Sequence, residues 1–302
     1  MRNEFRRRTI GSVAAMEYGP PDRGLDILFL HANGFNAATY RQALAPLGTA
    51  LRVLAVDMRG HGRTTLPTPT EGHAWRIFAD DLLALLTSLG EMPRVLAGHS
   101  MGGTTVLLAA PRLAAAHVMD LVLFDPVVAA EAVYQNAGAA DWEQPLAQGA
   151  LRRKSAVASR AEAIAAYRGR GGFKTWPDAA LEDYLADGLL ATPDGGFTLA
   201  CAPAWEAANF ACFGVSNPYA GFDGAGGTVR VLRAERGSTC SVTAQDAALR
   251  WPNVLVETVP GSTHFLPMER PDIVQDALRK TAGLKVDEQE GQGLRPWTPL
   301  GP

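Results

Sequence analysis

Apolar residues in this chain gather in short runs that stop abruptly at glycine, histidine or aspartate. The runs at 25–30, 51–56, 95–97, 119–124, 229–232 and 254–259 are mostly apolar and lack strict alternation. Continuous apolar runs of that length suit strands covered on both faces. Between them the period changes to that of a helix. Residues 75–89 place Phe78, Leu82, Leu85, Leu86 and Leu89 on one face. Helical spacing also marks 37–47, 104–116, 242–249 and a last stretch from His264 to about 278. Residues 5–19 alternate loosely and break at Gly19-Pro20-Pro21, which predicts one or two early strands. Strands alternating with helices predict βαβ units, hence an α/β fold with a mostly parallel central sheet flanked by helices.

The rhythm is interrupted once. Residues 127–227 carry scattered aromatics and helical spacing with no clear strand, too long a stretch for a loop. They predict an inserted helical cap, with residues 1–126 and 228–284 forming the core. Residues 285–302 are polar, with glycine and proline, and predict a disordered tail. The chain shows no internal repeat.

Composition narrows the class. The 302 residues suffice for a full core, and 47% hydrophobic with 20% charged residues is ordinary for a globular protein. A formal charge of −3 gives no reason to expect nucleic acid or an anionic membrane as partner. A small-molecule substrate is the expected partner, and oligomeric state stays open. Cys201, Cys212 and Cys240 cannot all pair and lack metal-ligand spacing, which suits a reducing interior. No apolar segment reaches the roughly 18 residues of a spanning helix. The basic start with its diluted apolar stretch reads as a first strand rather than an export signal. The expected location is cytoplasmic.

The chemistry centres on Gly98-His99-Ser100-Met101-Gly102, where an apolar run ends and a helical pattern begins. That strand–turn–helix context is what a nucleophile elbow needs: a tight turn that pushes Ser100 Oγ out above the sheet edge, with free N–H groups of a helix start behind it. Acyl transfer by serine also needs a base, a group that orients the base, and donors for an oxyanion. Of the six histidines, His99 lies inside the elbow, His31 and His61 in glycine-containing turns, and His73 and His117 in polar helix-end contexts. His264 follows the last apolar strand, on the same sheet edge as Ser100, and is the expected base. The backbone N–H groups of Met101 and Asn33 are the expected oxyanion donors, and the Asn33 side chain is a further donor. No metal or cofactor is required.

These residues resemble the α/β-hydrolase superfamily. The resemblance covers about residues 5–125 and 228–281 and rests on His31-Ala32-Asn33-Gly34, the elbow at 98–102 and Gly261-Ser262-Thr263-His264, with Asp57-Met58-Arg59-Gly60-His61-Gly62 also typical. Ala32 departs from the usual glycine. The resemblance implies a triad acid, and two carboxylates compete for it. Glu235 lies near the family's usual position after the cap, one or two residues early. Asp125 ends the strand before the cap, the alternative position, and is favoured. The turn at 234–237 and Asn33 are similar to a group of haloalkane dehalogenases, but those use a carboxylate nucleophile where this chain has Ser100.

The resemblance therefore implies a serine hydrolase of carboxylic esters of small to medium hydrophobic substrates, working through an acyl-enzyme. A thioesterase, an amidase and a C–C bond hydrolase would use the same triad. A non-catalytic small-molecule-binding protein on the same fold is the reading of another class. The clusters Arg152-Arg153-Lys154 and Arg168, Arg170 and Lys174 could attract an anionic substrate but read first as solvated faces, and Gly169-Arg170-Gly171-Gly172 reads as a mobile link.

Overall fold

A computed structural model describes residues 5–69, 73–113, 119–135 and 144–284. The sequence at 285–302, together with His117 and Trp142, lies outside the described residues. The chain opens with β1 (Phe5–Ile10) and β2 (Val13–Tyr18), turning at Gly11 with φ of 58°. There follow β3 (Ile27–Leu30), α1 (Arg41–Leu44), β4 (Val53–Val56), α2 (Arg76–Leu89), β5 (Val95–His99), α3 (Met101–Leu113) and β6 (Asp120–Phe124).

An inserted segment comes next: α4 (Glu131–Gln135), α5 (Gln144–Leu151), β7 (Ala156–Val157), α6 (Arg160–Tyr167), α7 (Asp178–Gly188), β8 (Leu189–Ala191), β9 (Phe197–Leu199), α8 (Pro203–Ala211) and α9 (Tyr219–Asp223). The chain then returns with β10 (Val229–Arg236), α10 (Ala244–Arg250), β11 (Val254–Thr263), α11 (Leu266–Glu269) and α12 (Pro271–Thr281).

Eight strands form one sheet in the order β1-β2-β4-β3-β5-β6-β10-β11. β1 and β2 run antiparallel to their neighbours, and every pairing from β4 onward is parallel. β3, β4 and β5 are buried along their whole length, which is why their sequences read as continuous apolar runs. Successive side chains leave opposite faces of the sheet. One face feeds a core with Phe78, Leu82 and Leu86 of α2 and Val106 and Leu107 of α3. The other packs against Leu44 of α1 and Val274 and Leu278 of α12. Each such side chain contributes about 1.5–3 kcal/mol on burial. α2 ends as its spacing predicts, at Gly90 in the left-handed conformation (φ 66°).

Two findings differ from the sequence reading. The inserted segment is not wholly helical: β7, β9 and β8 form an antiparallel three-stranded sheet. Strands of two or three residues are too short to show a period, so the pattern could not reveal them. Also, β10 and β11 run on past their apolar cores to Arg236 and Thr263, with a register shift between Ala234 and Arg236. The extended part is exposed along Glu235 and Pro260, hence polar and unreadable as a buried run.

Parallel pairing sends the C-terminal ends of β3, β4, β5, β6 and β11 to one edge. The turn at Asn33, the turn at Asp57, Ser100, Asp125 and His264 all follow those ends, which is where open α/β sheets bind ligands.

Candidate active site

Ser100 follows β5 directly and heads α3, with φ of 54°. Only close backbone approach permits that turn. A Cβ on Gly98 would lie 2.5 Å from the carbonyl carbon of Gly102, and one on Gly102 would lie 2.3 Å from the carbonyl oxygen of Leu30. The two glycines are therefore required by space, since the positive φ falls on the serine between them. Ser100 N–H donates to Phe124 O at 3.0 Å, which ties the elbow to the adjacent strand end.

His264 sits just past β11. Its Nε2 is 3.0 Å from Ser100 Oγ and its Nδ1 is 2.6 Å from Asp125 Oδ2. An ionised carboxylate only accepts, so Nδ1 carries the proton and Nε2 is free to accept from the serine hydroxyl. Asp125 is fully buried, and burial opposes its charge. Hydrogen bonds from His264, Ser238 and the Ala234 N–H outweigh burial and hold its carboxyl below the usual range. Ala234 N–H donates to Oδ1 at 2.8 Å, Ser238 Oγ–H to Oδ1 at 2.5 Å, and Thr239 N–H to Oδ2 at 3.0 Å.

Glu235 does not approach this group. It is exposed, and its carboxylate accepts from Gly261 N–H at 2.9 Å. A register shift in the β10–β11 ribbon falls at this residue, between Ala234 and Arg236. Of the two carboxylates, the structure brings Asp125 to His264.

Asn33 and Met101 flank the same cavity as Ser100 and His264. Neither N–H donates to another backbone group among the described residues. The Asn33 side chain is held from the inserted segment: its Nδ2 donates to Glu206 O at 3.0 Å, and its Oδ1 accepts from Asn209 Nδ2 at 2.8 Å. Two histidines pin the turn around it. Met58 N–H donates to His31 Nε2 at 2.8 Å and Gly34 N–H to His61 Nε2 at 3.0 Å, joining the turn after β3 to the turn after β4. His99 bridges a third gap, with Tyr40 O–H donating to its Nδ1 and its own Nε2–H donating to the His264 carbonyl, each at 2.7 Å. Tyr40 O in turn accepts from Ala32 N–H at 3.0 Å. Burial keeps all three imidazoles neutral, His61 falling to about 4, His99 to about 3 and His31 well below its ordinary value.

Ser100 and His264 line a cavity of about 280 Å³. Phe35, Trp75 and Phe265 of the core and Phe173, Trp176 and Tyr184 of the inserted segment give it aromatic walls. Gly172 is closely packed: a Cβ there would lie 2.8 Å from a Phe265 ring carbon. Its place in the sequence suggests a link, whereas its packing serves the residue beside the histidine. Arg153 is no solvated surface cation, for it lines the cavity with Nη1 2.5 Å from Glu206 Oε2 and Nη2 2.7 Å from Tyr184 Oη. Among the described residues, no three His, Cys, Asp or Glu side chains are grouped to hold a metal ion.

Sequence reasoning missed Thr239, Ser238, Glu206 and Asn209, and read Arg153 first as a solvated cation. Ser238 and Thr239 follow Gly237 at a strand end, a turn signal that could have marked them. The other three lie in the inserted segment, where no local pattern distinguishes a side chain aimed at the cavity.

Comparison with known proteins adds four likenesses. A family model described as "Alpha/beta hydrolase family" matches residues 27–277. A 2-(acetamidomethylene)succinate hydrolase of Mesorhizobium japonicum is 26% identical over 265 residues, 83% of this chain and 86% of that protein. The crystal structure of E-2-(acetamidomethylene)succinate hydrolase superposes with a TM-score of 0.72 at 24% identity, covering 92% of this chain and 98% of the other. An esterase of Mycobacterium tuberculosis superposes with a TM-score of 0.69 at 21% identity, covering 92% and 91%.

Proposed function

The chain belongs to the alpha/beta hydrolase family and is a hydrolase, and from that premise we propose that it is a serine hydrolase cleaving carboxylic esters of compact hydrophobic compounds. The observation that carries the proposal is the line Ser100 Oγ, His264 and Asp125 Oδ2, with steps of 3.0 and 2.6 Å. In this reading His264 Nε2 takes the Ser100 proton as Oγ attacks the substrate carbonyl. Negative charge then develops on the carbonyl oxygen and is met by the N–H groups of Met101 and Asn33, a type of contact worth about 10²–10³ in rate per donor. His264 returns the proton to the departing alcohol. Water, deprotonated by the same nitrogen, releases the acid and restores Ser100.

Asp125 holds Nδ1–H and balances the charge that forms on the ring. The inserted segment acts as a cap whose aromatic residues exclude water from the reacting atoms. Cys201 and Cys240 are buried free thiols, which suits a reducing compartment and supports a cytoplasmic location. Among the described residues, no helix is long and apolar enough to cross a membrane.

The relative from Mesorhizobium japonicum favours a second reading, since the compound in its name bears an acetamido group. An amide would be attacked by the same serine. The deciding experiment is labelling by a fluorophosphonate probe together with turnover of nitrophenyl esters of graded length, a thioester and an anilide. Labelling lost in Ser100→Ala and faster ester than anilide turnover are expected. Faster anilide turnover would favour the amidase, and absence of labelling and of turnover would favour a non-catalytic binding protein.

A further inference from the structure

Arg153 is the one Lys or Arg side chain among the described residues that line the cavity. It stands beside the oxyanion turn: its Nη1 lies 3.6 Å from where a Cβ on Gly34 would project, and Gly34 follows Asn33. Burial works against its charge, the adjacent Glu206 carboxylate offsets that cost, and its pKa lies above the ordinary value. A guanidinium offers five N–H donors in a rigid fork. Glu206 and the Tyr184 hydroxyl take two, and the Tyr167 ring lies 5.9 Å from its Cζ. The side chain lines a cavity whose walls are otherwise mostly aromatic and aliphatic. Stability alone does not explain this arrangement, since a partly buried ion pair is commonly no more stabilising than an apolar pair of equal size. A guanidinium in the wall of a mostly apolar cavity that also holds Ser100 is the group best suited there to recognise a carboxylate.

We propose that Arg153 is a specificity-determining residue and that the compound hydrolysed carries a carboxylate within a few bonds of the scissile carbonyl. The inference rests on the serine-hydrolase reading and names the substrate class of that site. The substrate carboxylate takes the free N–H groups of the fork while the carbonyl oxygen sits at the Met101 and Asn33 amides. Glu206 shares the fork, holds it in place when the site is empty, and weakens an incoming anion by like-charge repulsion.

The test uses the full-length protein with half-esters of dicarboxylic acids from malonate to adipate, each beside its neutral diester, followed by titration of released acid. The readout is the ratio of kcat/KM for half-ester over diester. The wild-type protein is expected to favour the half-ester at one chain length. Arg153→Met is expected to lower that ratio about tenfold to a hundredfold, the range of a charge-assisted hydrogen bond, and Glu206→Gln to raise it. Arg153→Met alone leaves Glu206 unpaired, so the double variant Arg153→Met/Glu206→Gln tests the same loss with no stranded charge. A diester preference at every length, or a ratio unmoved in the double variant, overturns the proposal. If the diesters are hydrolysed and Ser100 is labelled by the fluorophosphonate, that failure touches Arg153 alone. No turnover and no labelling would overturn the hydrolase reading with it.

Discussion

Ser100 and Asp125 are the two non-glycine residues with positive φ among the described residues, at 54° and 42°, and each stands one step past a paired strand position, His99 opposite Phe124. Their amides make matching contacts to the next strand: Ser100 N–H donates to Phe124 O at 3.0 Å and Asp125 N–H to Leu232 O at 2.7 Å. Backbone strain of this kind costs on the order of 1–3 kcal/mol per residue and persists only where the surroundings impose it. Here adjacent parallel strands impose it twice, and both strained residues present their side chains to His264.

Asp125→Asn should reduce kcat by about 10⁴, because a carboxamide favours the wrong imidazole tautomer while leaving the geometry in place. Glu235→Gln should remain within a few-fold of wild type, since that carboxylate meets only Gly261 N–H on an exposed ribbon. Steady-state kinetics with circular dichroism of both variants checks the assignment. Near-normal turnover in Asp125→Asn would refute it.

Stability should fall as pH drops from about 6 toward 4. His61 and His99 have folded pKa values of about 4 and about 3, below the ordinary value near 6.5, so the unfolded chain binds protons there that the native fold excludes. Their contribution is present above pH 6.5 and is lost as pH falls through that window, by about 1.4 kcal/mol per pH unit for each ring. Asp57 works the other way. Burial raises its carboxyl to about 6, so the native state gains a proton first and recovers the equivalent of one ring. Urea denaturation of His61→Gln between pH 5.5 and 4.5 should show a slope shallower by about 1.4 kcal/mol per unit. An unchanged slope would show that His61 titrates normally in the fold.

Asn209→Ala should lower kcat by up to about a hundredfold, the scale expected when a reacting group is displaced by roughly 1 Å. Asn209 is fully buried in α8, donates to Asn33 Oδ1 at 2.8 Å and pairs through Oδ1 with His73 Nε2 at 2.6 Å. It therefore holds the turn at Asn33, the proposed oxyanion donor, from the inserted segment. The KM for a short ester should move much less than kcat, and a loss confined to KM would count against a positioning role.

Gly98→Ala should destabilise the fold by about 3 kcal/mol or more, because the new methyl meets backbone atoms that cannot yield. Gly149→Ala in α5 has nothing within 4 Å of the added carbon and should stabilise by about 0.5–1 kcal/mol. Thermal melts of the two variants should shift in opposite directions, and equal shifts would contradict the packing described around the elbow.

The amino-acid sequence by itself determined the alternation of strand and helix, the sheet's parallel character, the elbow and the imidazole after the last strand. Those features are local: a buried run, a glycine pair around a serine and a turn at a strand end are each written in neighbouring residues. Only the tertiary structure decided between Asp125 and Glu235. Both carboxylates lie near strand ends in the chain, and the choice depends on a register shift in β10 and β11 and on which turn the Ala234 N–H, Ser238 and Thr239 converge upon. It alone revealed the short strands β7, β8 and β9, and it alone turned Arg153 from one cation among three into a wall of the cavity. The physical reason is that side chains from α5 to α8 meet the core across more than a hundred residues of sequence separation, where hydrophobic periodicity carries no information about partners.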